Sequence, residues 1–272
     1  MTAARRIART SIDPVSALGP ADRAAMFQLM DRYYRGMTRE HFDADLDAKQ
    51  HLIRMFDQDG LLCGFSTLQR LWVEHAGRKA LVVFSGDTVI DEACWGQKQL
   101  QNAFTRYLVR TWFERPFRPL YWFLISKGFK TYLLMRHNFA SWPSHRAAAL
   151  PGEVQAVLDA AARAKYPDRY DAARGLIVAP RHEDHQAVKE PYLELTQEEL
   201  ANPEIRYFVQ RNPEHHLGDE LCCLAKVRLR ELCWIALKYG LWHPLRRLLG
   251  LGREPRAPAP ATPATSTSAS EV

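Results

Sequence analysis

Two unbroken apolar runs, Ala80-Leu81-Val82-Val83-Phe84 and residues 120–125 (LYWFLI), constrain this chain more than any other feature. A strand with one wet face alternates apolar and polar residues. A strand without that alternation is covered on both faces. Between the runs, residues 96–113 place Leu100, Phe104, Tyr107, Leu108 and Phe113 at helical spacing, so one stripe of a helix faces inward. Buried strand, amphipathic helix, buried strand reads as a right-handed parallel crossover unit at the centre of an α/β sheet.

The flanking sequence supplies antiparallel strands and further helices. Residues 6–12 read as a short strand ended by Asp13-Pro14. Met26, Leu29, Met30 and Tyr33 then form one face of a helix over 21–35, which Gly36 stops. Thr38 opens a second helix through Leu46 to Lys49. Strands at 51–56 and 61–71 are joined by Asp59-Gly60, a pair that tolerates positive φ and marks a hairpin. His75-Ala76-Gly77 turns the chain into the first buried strand, 78–85. After the crossover unit, Ser126 caps a helix over 128–139. Val154, Val157, Leu158 and Ala161 define another over 151–164, and strands are expected at 175–178 and 220–227. A last helix starts near Arg228, striped by Trp234, Leu237, Leu241, Leu245 and Leu248 and kinked by Pro244. Residues 1–252 therefore read as one domain. Residues 253–272, almost all Pro, Ala, Ser and Thr, are expected to be a disordered tail.

Composition excludes some functions. The five cysteines are odd in number, lie in apolar runs and show no metal spacing, so buried reduced thiols in a cytoplasmic setting are expected. Arg5, Arg6 and Arg9 are followed by no apolar stretch, which argues against a secretory signal. No uncharged apolar window is long enough to span a bilayer. The net charge of +6 suits an anionic partner, yet zinc-finger spacing and RNP-type strands are missing, so nucleic acid is not expected.

The order strand, two helices, antiparallel strands, strand–helix–strand–helix and two late strands resembles the GNAT superfamily of N-acyltransferases. The resemblance covers residues 6–139 best. It implies a GNAT-like mixed α/β sheet whose two parallel strands splay apart, with an acyl thioester in the cleft and its pyrophosphate at the start of the next helix. No other cofactor is implied. The superfamily's phosphate loop reads Arg or Gln, two residues, Gly, one residue, Gly or Ala. Here the stretch is Cys94-Trp95-Gly96-Gln97-Lys98-Gln99-Leu100, with one glycine and a bulky Leu100. The chain is similar in this respect to N-acyl amino acid synthases and acyl-homoserine-lactone synthases, which take acyl chains from acyl carrier protein. The resemblance thus implies acyl-ACP or acyl-CoA as co-substrate and partner. The contrasting expectation is a GNAT-like domain without catalysis that binds a lipid or a protein.

Candidate residues cluster after the two buried strands. Ser85-Gly86-Asp87-Thr88 leaves the first at the carboxyl edge of a sheet, where α/β sites form, and Asp87 could take a proton from an acceptor amine. Gly96, Gln97 and Lys98 open a helix whose amides could hold phosphate, with Trp95 as a wall. Lys127 follows the second strand and could contact a phosphate or carboxylate. The resemblance implies that Tyr132 protonates the departing thiolate. His182, His185, His215 and His216 lie in polar stretches without periodic support and are not expected to bind metal. The final helix, with Trp234 and its basic flank, could bring the protein to the periphery of an anionic membrane surface.

Overall fold

The computed structural model describes residues 4–75, 77–145, 150–181, 187–188 and 195–237. The tail at 253–272, the Pro244 kink, and His182 and His185 lie outside the described residues. Along the chain run β1 (Ile7–Pro14), α1 (Pro20–Tyr33), β2 (Tyr34–Arg35), α2 (Arg39–Asp47), β3 (His51–Asp57), β4 (Leu62–His75) and β5 (Arg78–Ile90). Then come α3 (Gln99–Glu114), β6 (Leu120–Ser126), α4 (Phe129–Arg136), β7 (Ser141–Trp142), α5 (Gly152–Lys165), β8 (Tyr170–Asp171) and β9 (Leu176–Ile177). The chain continues through β10 (Ala187–Val188), α6 (Gln197–Leu200), α7 (Pro203–Arg211), β11 (Glu220–Val227) and α8 (Leu229–Leu237).

The main sheet has the order β1-β3-β4-β5-β6-β11-β9-β8, with β7 paired to β11. Among the described residues only β5 and β6 run parallel, joined through α3; every other described pair in the sheet is antiparallel. This is the mixed sheet with a central parallel strand–helix–strand unit that the sequence predicts. Local chemistry sets the boundaries. The Thr38 hydroxyl caps α2 by accepting from the His41 N–H. At the β3–β4 turn, Asp57 accepts from the amides of Asp59 and Leu61, and Gly60 takes a φ of 76°.

Both faces of the sheet are covered. On one, α3 and α4 pack Phe104, Leu108 and Met135 against Leu81, Val83, Trp122 and Leu124. On the other, α5 packs Val157, Leu158 and Ala161 against Val82, Phe84, Tyr121 and Phe123. The same face carries α1 and α2 further along, over Leu52, Phe65 and Val89. Each fully buried Leu or Phe side chain contributes about 1.5–3 kcal/mol by leaving water. Four cysteines are buried as expected, but Cys233 on α8 is exposed.

Three element boundaries differ from expectation in ways that matter for function. The strand expected to end at Ser85 continues to Ile90, because β4 stays paired with it through Gly64↔Ile90. The helix expected from Gly96 begins at Gln99, since Gly96 takes a φ of 78° and turns the chain before it. The helix expected over 128–139 spans only Phe129–Arg136. Among the described residues no helix is long and apolar enough to cross a membrane.

Candidate active site

The parallel pairing of β5 and β6 runs from Leu81↔Leu120 to Ser85↔Leu124 and stops there. Beyond it β5 follows β4, while β6 follows β11 through Leu221↔Ser126. Two edges that face each other therefore no longer bond to one another. A cavity of about 620 Å³ occupies the opening. Its walls come from both faces of the sheet: Leu100, Gln101, Thr131 and Leu134 on the α3/α4 side, and Met37, His41, Asp45, Lys49, Tyr166 and Arg169 on the α1/α2/α5 side. A narrow recess continues from it between α3 and α4, ending on Phe104, Trp122 and Phe139.

Asp87 lies in the cavity wall on β5. Burial first, and then the neighbouring Asp45 carboxylate, push its carboxyl up to about 7, against the pull of Lys49 and Lys127. Asp45 moves the opposite way. Burial opposes its ionisation, but the hydrogen bond from Asp87 and the Lys49 ammonium hold it well below the usual carboxylate range. Lys49 sits between them with its Nζ 2.5 Å from Asp45 and 3.8 Å from Asp87, its side chain almost wholly buried. Lys165 reaches Asp45 at 3.7 Å from α5. Gly86 leaves room for this arrangement. A Cβ there would stand 2.8 Å from the Thr67 hydroxyl, 3.1 Å from a Phe84 ring carbon and 3.3 Å from Lys49 Cε, so a side chain at this position would crowd all three.

The remaining expected residues are placed unevenly. Lys127 and Gly96 line the cavity, and so does Trp95, which donates its indole N–H to the Ile90 carbonyl and carries the Lys130 ammonium 4.3 Å from its ring centre. Ser85 lines the recess, where its hydroxyl accepts from the Trp122 indole at 2.8 Å. Gln97 points elsewhere: its amide accepts from the Ile7 N–H and donates to the Arg5 carbonyl, tying down β1. Lys98 is not among the residues lining the cavity. Tyr132 is 1% exposed and also does not line it; its hydroxyl donates to the Glu204 carboxylate, with the Pro143 carbonyl 3.2 Å away. Thr131 and Leu134 face the cavity, and Tyr132 is rotated about 100° from the first and about 160° from the second.

Sequence reasoning missed Asp45, Lys49, Tyr34, Tyr166, Arg169 and Glu220. The one local signal was Asp45 and Lys49 at i and i+4 near the end of α2, a spacing that usually marks a surface ion pair. Both helices at the opening start without a capping side chain, α3 after Lys98 and α4 after Gly128. Their first amides, with Lys130 near, suit an anion. His215 and His216 meet edge to face, and no cluster of metal-ligating residues exists among the described residues.

No family model and no curated protein matches the chain. Solved structures align with parts of it at low identity. A GNAT family acetyltransferase from Bacillus anthracis aligns at 11% identity and a TM-score of 0.37, over 55% of this chain and 90% of that one. A GNAT family N-acetyltransferase from Escherichia coli in complex with CoA aligns at 16% identity and a TM-score of 0.34, over 46% and 67%. A probable N-acyltransferase from Enterococcus faecalis aligns at 14% identity and a TM-score of 0.36, over 48% of this chain but only 31% of that protein's length.

Proposed function

We propose that the protein transfers an acyl group from a phosphopantetheine thioester to an amine. The observation that carries this reading is the break in β5–β6 pairing after Ser85 and Leu124, filled by a cavity with Asp87 in its wall. An extended pantetheine arm fits between two strand edges whose backbone groups it can bond. Its phosphates would meet the uncapped starts of α3 and α4 beside Gly96 and Lys130. The amine enters from the α1/α2 side, next to Asp87.

The chemistry balances without further reagents. An acceptor ammonium gives one proton to Asp87, whose raised affinity for protons suits a base near neutrality. The freed amine attacks the thioester carbonyl carbon, a C–N bond forms, and the C–S bond breaks. The second amine proton ends on the thiolate. Tyr132 is not used, since its hydroxyl is spent on Glu204.

The carrier is coenzyme A or acyl carrier protein. The net charge of +6 favours the acidic protein carrier, as in the N-acyl amino acid synthase type. Purified protein given acyl-CoA and acyl-ACP of several chain lengths, with a panel of amines, should release free thiol and form an amide detectable by mass spectrometry. Absence of both products with every donor would overturn the reading. Thioester binding without turnover would favour a GNAT-like domain that has kept the cleft and lost the reaction. We further place the protein in the cytoplasm, at the periphery of anionic membrane, through exposed Trp234 and Leu237 on α8. Failure to cosediment with anionic liposomes at low salt would remove that part.

A further inference from the structure

The end of the sheet away from the cavity carries large apolar side chains that the fold leaves in water. Helix α3 starts at the cavity with Leu100 and Gln101 and runs back along the sheet for 16 residues, about 24 Å. At its far end Phe113 is 64% exposed, and Phe117 in the loop to β6 is 96% exposed. Trp72, 52% exposed, belongs to the same end. It pairs with Leu81 on the α3 face, two residues beyond Arg70, whose guanidinium donates to Thr111 and Glu114. Register brings α8 alongside. Val227 is paired with Leu120, so Leu229 leaves β11 beside the loop that delivers Phe117 to β6. Leu232 buries one face of α8 in the cluster that holds α3, while Leu229, Trp234 and Leu237 stay exposed.

One exposed phenylalanine is ordinary; a group of aromatic and leucine side chains at one end marks a contact surface. The charges around the group favour one sign. Arg115, Arg118 and Arg230 are exposed there. The carboxylates nearby are already matched: Glu114 by Arg70 and Arg110, Glu231 by Arg228, and Glu74 by Lys79 across the strand pair. The sequence continues the pattern, since from Leu232 to Arg253 it holds Lys238, Arg246 and Arg247 and no acidic residue. A second copy of the chain fits this surface poorly, because two like faces would set arginine against arginine. An anionic lipid interface fits it well. Aromatic rings settle at the headgroup level, and arginines beside them gain from the negative surface potential.

We propose that the far end of α3, the loop to β6 and α8 form one docking surface for anionic lipid, with Phe113 and Phe117 as a second anchor beside α8. This rests on the membrane placement given above for the identity of the partner. It adds the anchor on the loop, and it fixes an orientation. The surface and the cavity lie at opposite ends of β5 and β6, so a docked molecule keeps the cavity away from the bilayer and open to water.

The test uses the full chain at low salt with vesicles of phosphatidylcholine, made with and without phosphatidylglycerol. Wild type should float with the anionic vesicles and bind the neutral ones at least about tenfold less well. Phe113→Ser combined with Phe117→Ser should weaken anionic binding about tenfold at an unchanged melting temperature, although α8 is intact. Arg115→Gln combined with Arg118→Gln should weaken it about as much. Full binding by the phenylalanine variant would leave α8 as sole anchor and overturn the proposal while sparing the membrane placement. Failure of wild type to bind either vesicle would end both. A wild-type dimer in solution that the phenylalanine variant dissociates would assign the surface to a second copy, and equally overturn the proposal. Orientation is read separately. An environment-sensitive fluorophore on Cys233, which is exposed while the other cysteines are buried, should shift to the blue on binding. The same fluorophore on Glu40→Cys in a Cys233→Ser background, next to His41 at the cavity, should not shift. A blue shift at both positions would overturn the orientation.

Discussion

Glu204 and Asp87 are both carboxylates held inside the fold, and they are treated in opposite ways. Glu204, in the first turn of α7, accepts from Tyr132 and from both Nε and a terminal nitrogen of Arg136, and His145 Nδ1 lies 2.8 Å away. Burial opposes its charge, but those hydrogen bonds win and hold its carboxyl down to about 2. Asp87 is given another carboxylate as neighbour and an ammonium 3.8 Å away, and it is driven upward. A carboxylate held by a guanidinium and a phenol from another helix fastens elements together. One left short of donors at a cavity wall is available to take and return a proton.

That contrast can be broken by substitution. Glu204→Ala should cost the most, about 3–5 kcal/mol of stability in chemical denaturation, because Arg136 is then left buried without its partner. Stability due to Glu204 is present above its unfolded value near 4.5 and is lost as pH falls towards about 2, so the acid limb of wild type should be steeper than that of the variant. Asp87→Asn should lower turnover about 100-fold while leaving the melting temperature unchanged or raised, since it removes repulsion from Asp45. A melting temperature that falls as far as that of Glu204→Ala would mean that both carboxylates are structural.

Tyr132→Phe should cost only about 1–2 kcal/mol of stability and leave the pH dependence of turnover intact. A loss of the alkaline limb in that variant would return Tyr132 to the chemistry. The smallest effect concerns tuning. The rate should rise with pH through about 7 as Asp87 loses its proton, and Asp45→Asn should move that rise to lower pH, because the Asp45 charge helps to hold the proton on. A profile of kcat/KM against pH measures both.

The sequence made the parallel unit legible because burial on both faces erases alternation, and Ala80–Phe84 and LYWFLI show that directly. Asp87, Gly96, Trp95 and Lys127 were legible because they follow those strands, and the cavity is where the strands part. Gln97 was misplaced because a helix-start glutamine says nothing of which neighbour its amide will serve. Here the neighbour is the backbone of β1, some ninety residues away along the chain. Tyr132 was misplaced by one position on a helix, a rotation of about 100°. Arg169, Glu220 and Tyr166 carry no local mark. They reach the cavity only because β11 pairs with β6 and because α5 crosses the sheet, and neither contact is written in a short window.

The cavity between β5 and β6 is walled from both faces of the sheet, and this bears on the order of events in the proposed transfer. If donor and acceptor reach Asp87 from opposite faces, as proposed, they need not take turns. The thioester can remain seated while the amine arrives, so no part of the protein has to hold the acyl group in between. Initial rates measured against both substrates should then give double-reciprocal lines that intersect, and product thiol should not appear in a burst when the acceptor is withheld. Under the proposed reaction, this arrangement predicts a single direct transfer and not relay through an acyl-enzyme.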